Sequence, residues 1–134
     1  MGDGSDLAEI KFDDMVLYSR EHAWARQEDG LFTVGISDFA QSQLGGVIYL
    51  ELPQEDDEFE AGEEFGVVES SKVASSLFAP VGGRVVVVNW ELEDNPGMVN
   101  EDPYGAGWII KIQPKGQPDL SRLLDAAAYS AFVV

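Results

Sequence analysis

Strand-like segments recur along this chain, each short and each closed by a glycine, a proline or an acidic turn. In "LFTVGI", Phe32, Val34 and Ile36 alternate with smaller or polar neighbours, the period of a strand with one buried face. "VIYLEL" (residues 47–52) is rich in β-branched and aromatic residues and is stopped by Pro53. "EFGVVES" and "ASSLFAP" flank a lysine, and "RVVVVNW" follows a Gly82-Gly83 turn. "GWIIKIQP" predicts Trp108, Ile110 and Ile112 on one face with Lys111 on the other. Segments this short close on one another as sheets, so a β-sandwich or flattened barrel is expected.

Helices are expected only as additions. "SDFAQSQLGG" offers Ser37 as N-cap and Gly45 just past the end. "DLSRLLDAAAYSAF" predicts a C-terminal helix with Leu120, Leu123, Leu124, Ala127, Ala128 and Ala131 on its apolar stripe. The acidic run "QEDDEFEAGEE" reads as a solvated loop and edge.

The 134 residues suit one domain, and 45% apolar residues are enough for a core. No apolar run approaches the ~18 residues of a membrane span. The start, "MGDGSDLAEIKFDD", has neither the basic nor the apolar part of a signal peptide, which argues against export. With no cysteine, disulfides, thiolate catalysis and thiolate-bound zinc are excluded. A net charge of −17 argues against nucleic acid or an anionic membrane as partner. It suits basic protein partners, and equally a surface kept acidic for solubility.

Few residues are arranged for catalysis. His22 is the only histidine, which rules out a His-rich metal site, and in "SREHAWAR" it reads as structural or surface. The acidic stretches lack the spacing of a calcium loop, and "GVVESSK" lacks the G-x-x-x-x-G-K of a phosphate loop. Lys72 stands apart. It is one of only four lysines, and it lies between two strand-like flanks among small residues: Ser70, Ser71, Ala74, Ser75 and Ser76. A tip built this way leaves the ammonium open to a large enzyme. The long stem suits a swinging arm that moves a covalently held group between separate active sites.

At these residues the chain resembles the glycine cleavage system H protein family. "GVVESSKVASSLFAPVGGRV" resembles that family's lipoylation hairpin. "YSREHAWAR", "TVGISDFAQSQLG", "VIYLELP", "VNWELEDNPGMVNEDPYGAGWIIKI" and "LLDAAAYSAF" follow in the family's order. The resemblance runs from about Lys11 to the C-terminus, leaving residues 1–10 as a flexible tail and 11–134 as the carrier domain. It implies a mainly β barrel-sandwich hybrid with a short internal helix and a C-terminal helix. It implies lipoate in amide linkage to Lys72, with Glu69, Ser71 and Val73 at the hairpin tip. Biotinyl domains share the hairpin but usually place methionine beside the lysine, so Ser71 and Val73 favour lipoate.

The resemblance further implies a monomeric carrier that catalyses nothing itself. A lipoate-attaching enzyme would load it. Glycine decarboxylase would place an aminomethyl group on the arm, an aminomethyltransferase would remove it, and dihydrolipoamide dehydrogenase would reoxidise the thiols. The expected location is the cytoplasm, or the mitochondrial matrix for a mature eukaryotic chain.

Two positions depart from the family's pattern. His-Glu-Trp becomes His22-Ala23-Trp24, and the acid usual four residues after the lysine becomes Ser76. These residues are the expected cleft for the arm, and a carboxylate there would hold an amine-bearing cargo. Glu21 and Glu69 are the acids nearby in sequence. Because the acids are missing, an H-like lipoate-binding protein is kept as an alternative. It would carry sulfur intermediates with a heterodisulfide-reductase-like complex. An unmodified scaffold is a third reading, and the intact Glu69…Lys72 hairpin speaks against it.

Overall fold

The computed structural model describes residues 9–134. Most of the expected N-terminal tail, residues 1–8, lies outside the described residues; Ile10 is buried.

Among the described residues, nine strands and four helices follow one another. They are β1 (Leu17–Tyr18), β2 (Ala23–Glu28), β3 (Leu31–Ile36), α1 (Asp38–Leu44), β4 (Val47–Glu51), β5 (Glu58–Phe59), β6 (Glu64–Ser70), β7 (Ala74–Phe78), β8 (Gly83–Val88), α2 (Glu91–Asp94), α3 (Met98–Glu101), β9 (Ile110–Pro114) and α4 (Ala126–Val133). A six-stranded sheet has the order β1-β2-β3-β9-β8-β5, and a three-stranded sheet the order β4-β6-β7. Every pairing is antiparallel. The sheets stay separate, so the expected hybrid is a sandwich rather than a closed barrel.

The main core lies between the sheets. Phe32, Val34, Val85, Ile110 and Ile112 from the large sheet meet Val47, Leu50, Phe65, Val68 and Leu77 from the small one. Strand β3 is central and buried on both faces from Phe32 to Ile36. The β2–β3 hairpin turns on Asp29-Gly30, both left-handed (φ 53° and 80°), the pair that a two-residue turn between twisted strands requires.

A second cluster gathers Val16, Tyr18, Trp24, Ala126 and Tyr129, with Tyr104 and Trp108 against it. Tyr18 and Tyr129 stack at 4.2 Å between ring centroids. Trp24 Nε1 donates to the carbonyls of Ile36 (3.0 Å) and Pro103 (3.1 Å), so its one polar atom is satisfied inside.

Helix α1 forms as its caps dictate: Ser37 Oγ accepts from the Ala40 amide at 3.1 Å, and Gly45 ends the helix at φ 80°. The C-terminal helix differs from expectation. It starts at Ala126, because Asp125 caps it by accepting from the Ala128 amide at 2.8 Å. Leu124 lies outside it, exchanging two 2.7 Å backbone bonds with Tyr18. The buried residues of α4 are Ala126 and Tyr129, while Ala127, Ala128 and Ala131 are exposed. Trp108 also departs from the expected face. It precedes β9, packs in the second cluster, and lies 5.3 Å from Lys111 Nζ.

Candidate functional site

Strands β6 and β7 pair from Glu64↔Phe78 to Glu69↔Ala74, and the chain reverses over Ser71 and Lys72. Ser70 makes this turn. Its amide donates to the Val73 carbonyl at 2.8 Å, and its buried hydroxyl oxygen accepts from the amides of Lys72 and Val73, each at 3.3 Å. A side chain thus satisfies main-chain donors that a turn of this length leaves over. Ser71, Lys72 and Val73 are exposed at the tip, and Val73 is 44% exposed despite being apolar. The lysine stem leans toward the end of α1: its Cε lies 3.4 Å, and its Nζ 3.8 Å, from where a β-carbon on Gly45 would stand.

A cavity of about 440 Å³ opens beside the tip. Val73, Ser75, Ser76 and Leu77 form the hairpin wall, Phe39, Ala40, Gln43 and Leu44 the α1 wall, and Glu21 and His22 close it from the turn before β2. His22 is half-buried with φ 73°, a conformation unusual for a side-chain-bearing residue. Several bonds hold it there. Its amide donates to the Ser19 carbonyl (3.1 Å), its carbonyl accepts from the Ser37 amide (3.0 Å), and Nδ1 lies 2.7 Å from Tyr129 Oη. Burial pushes the imidazole below its ordinary value of 6.5, with Glu21 pulling weakly the other way. Burial also pushes the Tyr129 hydroxyl up to about 12.

Of the residues expected in the cleft, His22 and Ser76 line the cavity, whereas Ala23 and Trp24 do not. Ala23 is 3% exposed in β2, and Trp24 lies flat beneath Gly35 in the second core. Glu69 pairs with Tyr49 and Ala74, one residue out of phase with Val68 and Ser75, which line the cavity. Glu69 is not among the residues that line the cavity, although Ser76, two positions on from Ala74, is. The turn-locking role of Ser70 and the α1 wall were not legible beforehand. The signal for the α1 wall was the helix itself, whose Phe39, Ala40 and Leu44 had no assigned neighbour.

The residues present fit a lipoyl group. An exposed lysine on a fixed turn stands next to a cavity whose walls are mostly apolar, and Val73 joins the two. Among the described residues no cluster of acids or histidine could hold a metal ion. Fold and site together define a two-sheet module that presents one lysine at a hairpin tip beside a cleft.

Known proteins place it further. Residues 16–134 match the model of the family described as "Glycine cleavage H-protein". The chain is 56% identical over 116 residues to a "Glycine cleavage system H protein" of Anaeromyxobacter sp. (strain K), covering 87% of this chain and 91% of that one. It is 48% identical over 118 residues to the protein of the same name from Oceanobacillus iheyensis, covering 88% and 94%. The crystal structure of a glycine cleavage system H protein from Mycobacterium marinum superposes with a TM-score of 0.82 at 35% identity, over 89% of this chain and 96% of that one. The chain belongs to the glycine cleavage H-protein family.

Proposed function

We propose that Lys72 is the lipoyl attachment point of this chain, and that the cavity between β7, α1 and the turn before β2 shelters the loaded arm. The observation that carries this reading is the Ser70-locked turn, which presents Lys72 to solvent with Val73 leading into the cavity. Family membership supports the wider role, a lipoyl carrier in glycine cleavage. The relatives described above all bear that name, and no observation favours a sulfur cargo.

The chain's own residues do limited work. Lys72 Nζ forms an amide with the carboxyl carbon of lipoate and loses its charge, making the protein one unit more acidic. When bound, the lipoyl group would supply a dithiolane whose S–S bond opens on loading to leave one thiol and one sulfur joined to the carbon of the cargo. Phe39, Ala40, Leu44 and Leu77 offer apolar surface that keeps water from a folded-in arm. Glu69 and Ser71, outside the cavity, are left for the enzymes that approach the tip. On this reading the protein is a monomeric substrate of its partners rather than a catalyst. Those partners are a lipoate-attaching enzyme, glycine decarboxylase, an aminomethyltransferase and dihydrolipoamide dehydrogenase. It works in the cytoplasm beside them; among the described residues no helix is long and apolar enough to cross a membrane.

The test is intact mass after incubation with lipoate, ATP and a lipoate ligase, followed by peptide mapping. One lipoyl adduct on the peptide containing Lys72, absent in Lys72→Ala, is expected. An adduct that persists in Lys72→Ala would refute the assignment. Carbon dioxide release from labelled glycine by glycine decarboxylase, with the lipoylated chain as acceptor, tests the pathway.

A further inference from the structure

We propose that the edge formed by Gly45, Gly46, Ile48 and Tyr49 is the surface on which the enzyme that acylates Lys72 docks. The inference rests on Lys72 being the lipoyl attachment point, and adds where the modifying enzyme stands.

Ile48 and Tyr49 are large apolar side chains exposed side by side, at 60% and 53%, between buried Val47 and Leu50. Regular alternation would turn one of the two inward. The register shows why neither is buried. Val47 pairs with Ser70 and Tyr49 with Glu69, so β4 advances two residues while β6 advances one. Ile48 is the extra residue of a bulge, a device that re-aims side chains.

The bulge stands next to the lysine. Val47 lies opposite Ser70, the residue that locks the turn. Just before it, Gly45 lies against the lysine stem, within 3.4 Å of Cε and 3.8 Å of Nζ for a β-carbon placed there. Gly46 is exposed, its φ is outside the left-handed region, and a β-carbon on it would meet nothing within 4 Å. A side chain at either position would narrow the approach to Nζ from this side, and neither glycine has one. None of the four residues lines the cavity, so the shelter for the arm and this edge are separate surfaces that share one lysine.

The chemistry at Nζ selects the occupant. Enzymes that load or unload the arm act on its sulfur end, and a long arm lets them stand away from the tip. Acylation forms a bond at Nζ itself. The free amine attacks the carbonyl carbon of an activated lipoyl donor, the C–N bond forms, the donor's leaving group departs with its electron pair, and a proton from the amine passes to solvent. The acylating enzyme must therefore close on whatever surrounds Nζ. On this side that is a bare glycine pair followed by two apolar side chains. Glu69 stands directly opposite Tyr49, and Glu51 follows two residues on, so acids rim the apolar pair. The matching surface is an apolar pocket for Tyr49 with basic residues at its margin.

The test is the initial rate of lipoylation of the full chain by a lipoate ligase with lipoate and ATP, read by intact mass and peptide mapping. Tyr49→Ser is expected to lower kcat/KM about tenfold, mainly through KM, the effect of removing one interface anchor. Gly46→Leu is expected to lower it to a similar extent by filling the approach to Nζ. Both positions face solvent, so thermal unfolding should stay at the wild-type temperature. Met15→Ser, which removes an apolar side chain 78% exposed in the loop before β1, should match wild type. Glu51→Lys should slow lipoylation at low salt and less at high salt. Driven to complete lipoylation, Tyr49→Ser should accept the aminomethyl group from glycine decarboxylase at the wild-type rate. Wild-type lipoylation rates in both Tyr49→Ser and Gly46→Leu, with the adduct on Lys72, overturn this inference alone. A defect confined to the decarboxylase step also overturns it, by giving the edge to a different partner. Lipoate found on a residue other than Lys72 refutes the attachment reading, and this inference falls with it.

Discussion

His22 Nδ1 lies 2.7 Å from Tyr129 Oη, and Tyr129 Oη lies 2.7 Å from Ser37 Oγ. One phenol therefore ties the turn before β2, the N-cap of α1 and the C-terminal helix α4 into a single network, and two of those elements border the cavity. Tyr129→Phe keeps the stacking ring but leaves the imidazole nitrogen without its partner. The variant should lose about 1–3 kcal/mol in urea denaturation. An unchanged midpoint would show that water replaces the phenol without cost.

Stability should fall on mild acidification because of His22. Burial lowers its folded-state pKa below 6.5, so the unfolded chain takes the proton first as the pH drops through 6.5. The stabilisation is complete above that value and is lost as pH falls toward the lower folded value. Unfolding followed from about pH 7.5 to about pH 5.5 checks this, with His22→Gln expected to flatten the slope. Three tyrosines, Tyr18 and Tyr129 buried and Tyr104 half-buried, act at the other end. Tyr18, Tyr104 and Tyr129 are all raised above 10.0 by burial. The unfolded chain ionises first above pH 10, so stability falls there as well.

Gly35 is required by its neighbour rather than by its own backbone. A β-carbon there would stand 2.6 Å from Trp24 Cζ2, and the indole is held by two hydrogen bonds that prevent it from retreating. Gly35→Ala should cost about 1–3 kcal/mol by overpacking. Thermal unfolding would show it, and an unaltered transition would mean that the ring shifts without losing its bonds.

Ser70→Ala removes the oxygen that accepts from the Lys72 and Val73 amides. A loss of about 0.5–1.5 kcal/mol in stability is expected, since both donors sit near solvent. The larger effect should fall on modification. A looser turn presents Lys72 in many poses, and kcat/KM for lipoylation should drop while Ser71→Ala stays close to wild type. Equal rates in the two variants would assign the turn's shape to the strands alone.

Much of the fold was legible because its signals are local. Ser37 and Gly45 mark the two ends of α1 by themselves, and Lys72 stands between two flanks with strand period. What failed depended on distant partners. The leucine and alanine stripe expected over residues 120–131 ignored Asp125, a capping residue, and the pairing of Leu124 with Tyr18 across the molecule. Trp108 was placed by alternation, but strand geometry begins only at Ile110. Within the site, the tip was readable and the cavity was not. Ala23 and Trp24 follow His22 in sequence, yet the left-handed turn at His22 sends them into the protein while Glu21 borders the cavity.

The hydroxyl of Ser70 also bears on how far the carrier can reach. With the main chain of the turn fixed, anything joined to Lys72 moves about a stationary pivot, within a volume set by the bonds beyond Cα rather than by breathing of the strands. The effective concentration of a load at a docked enzyme then depends on where that enzyme stands relative to the pivot. A partner need only dock within this radius, and it need not deform the carrier to collect what it carries.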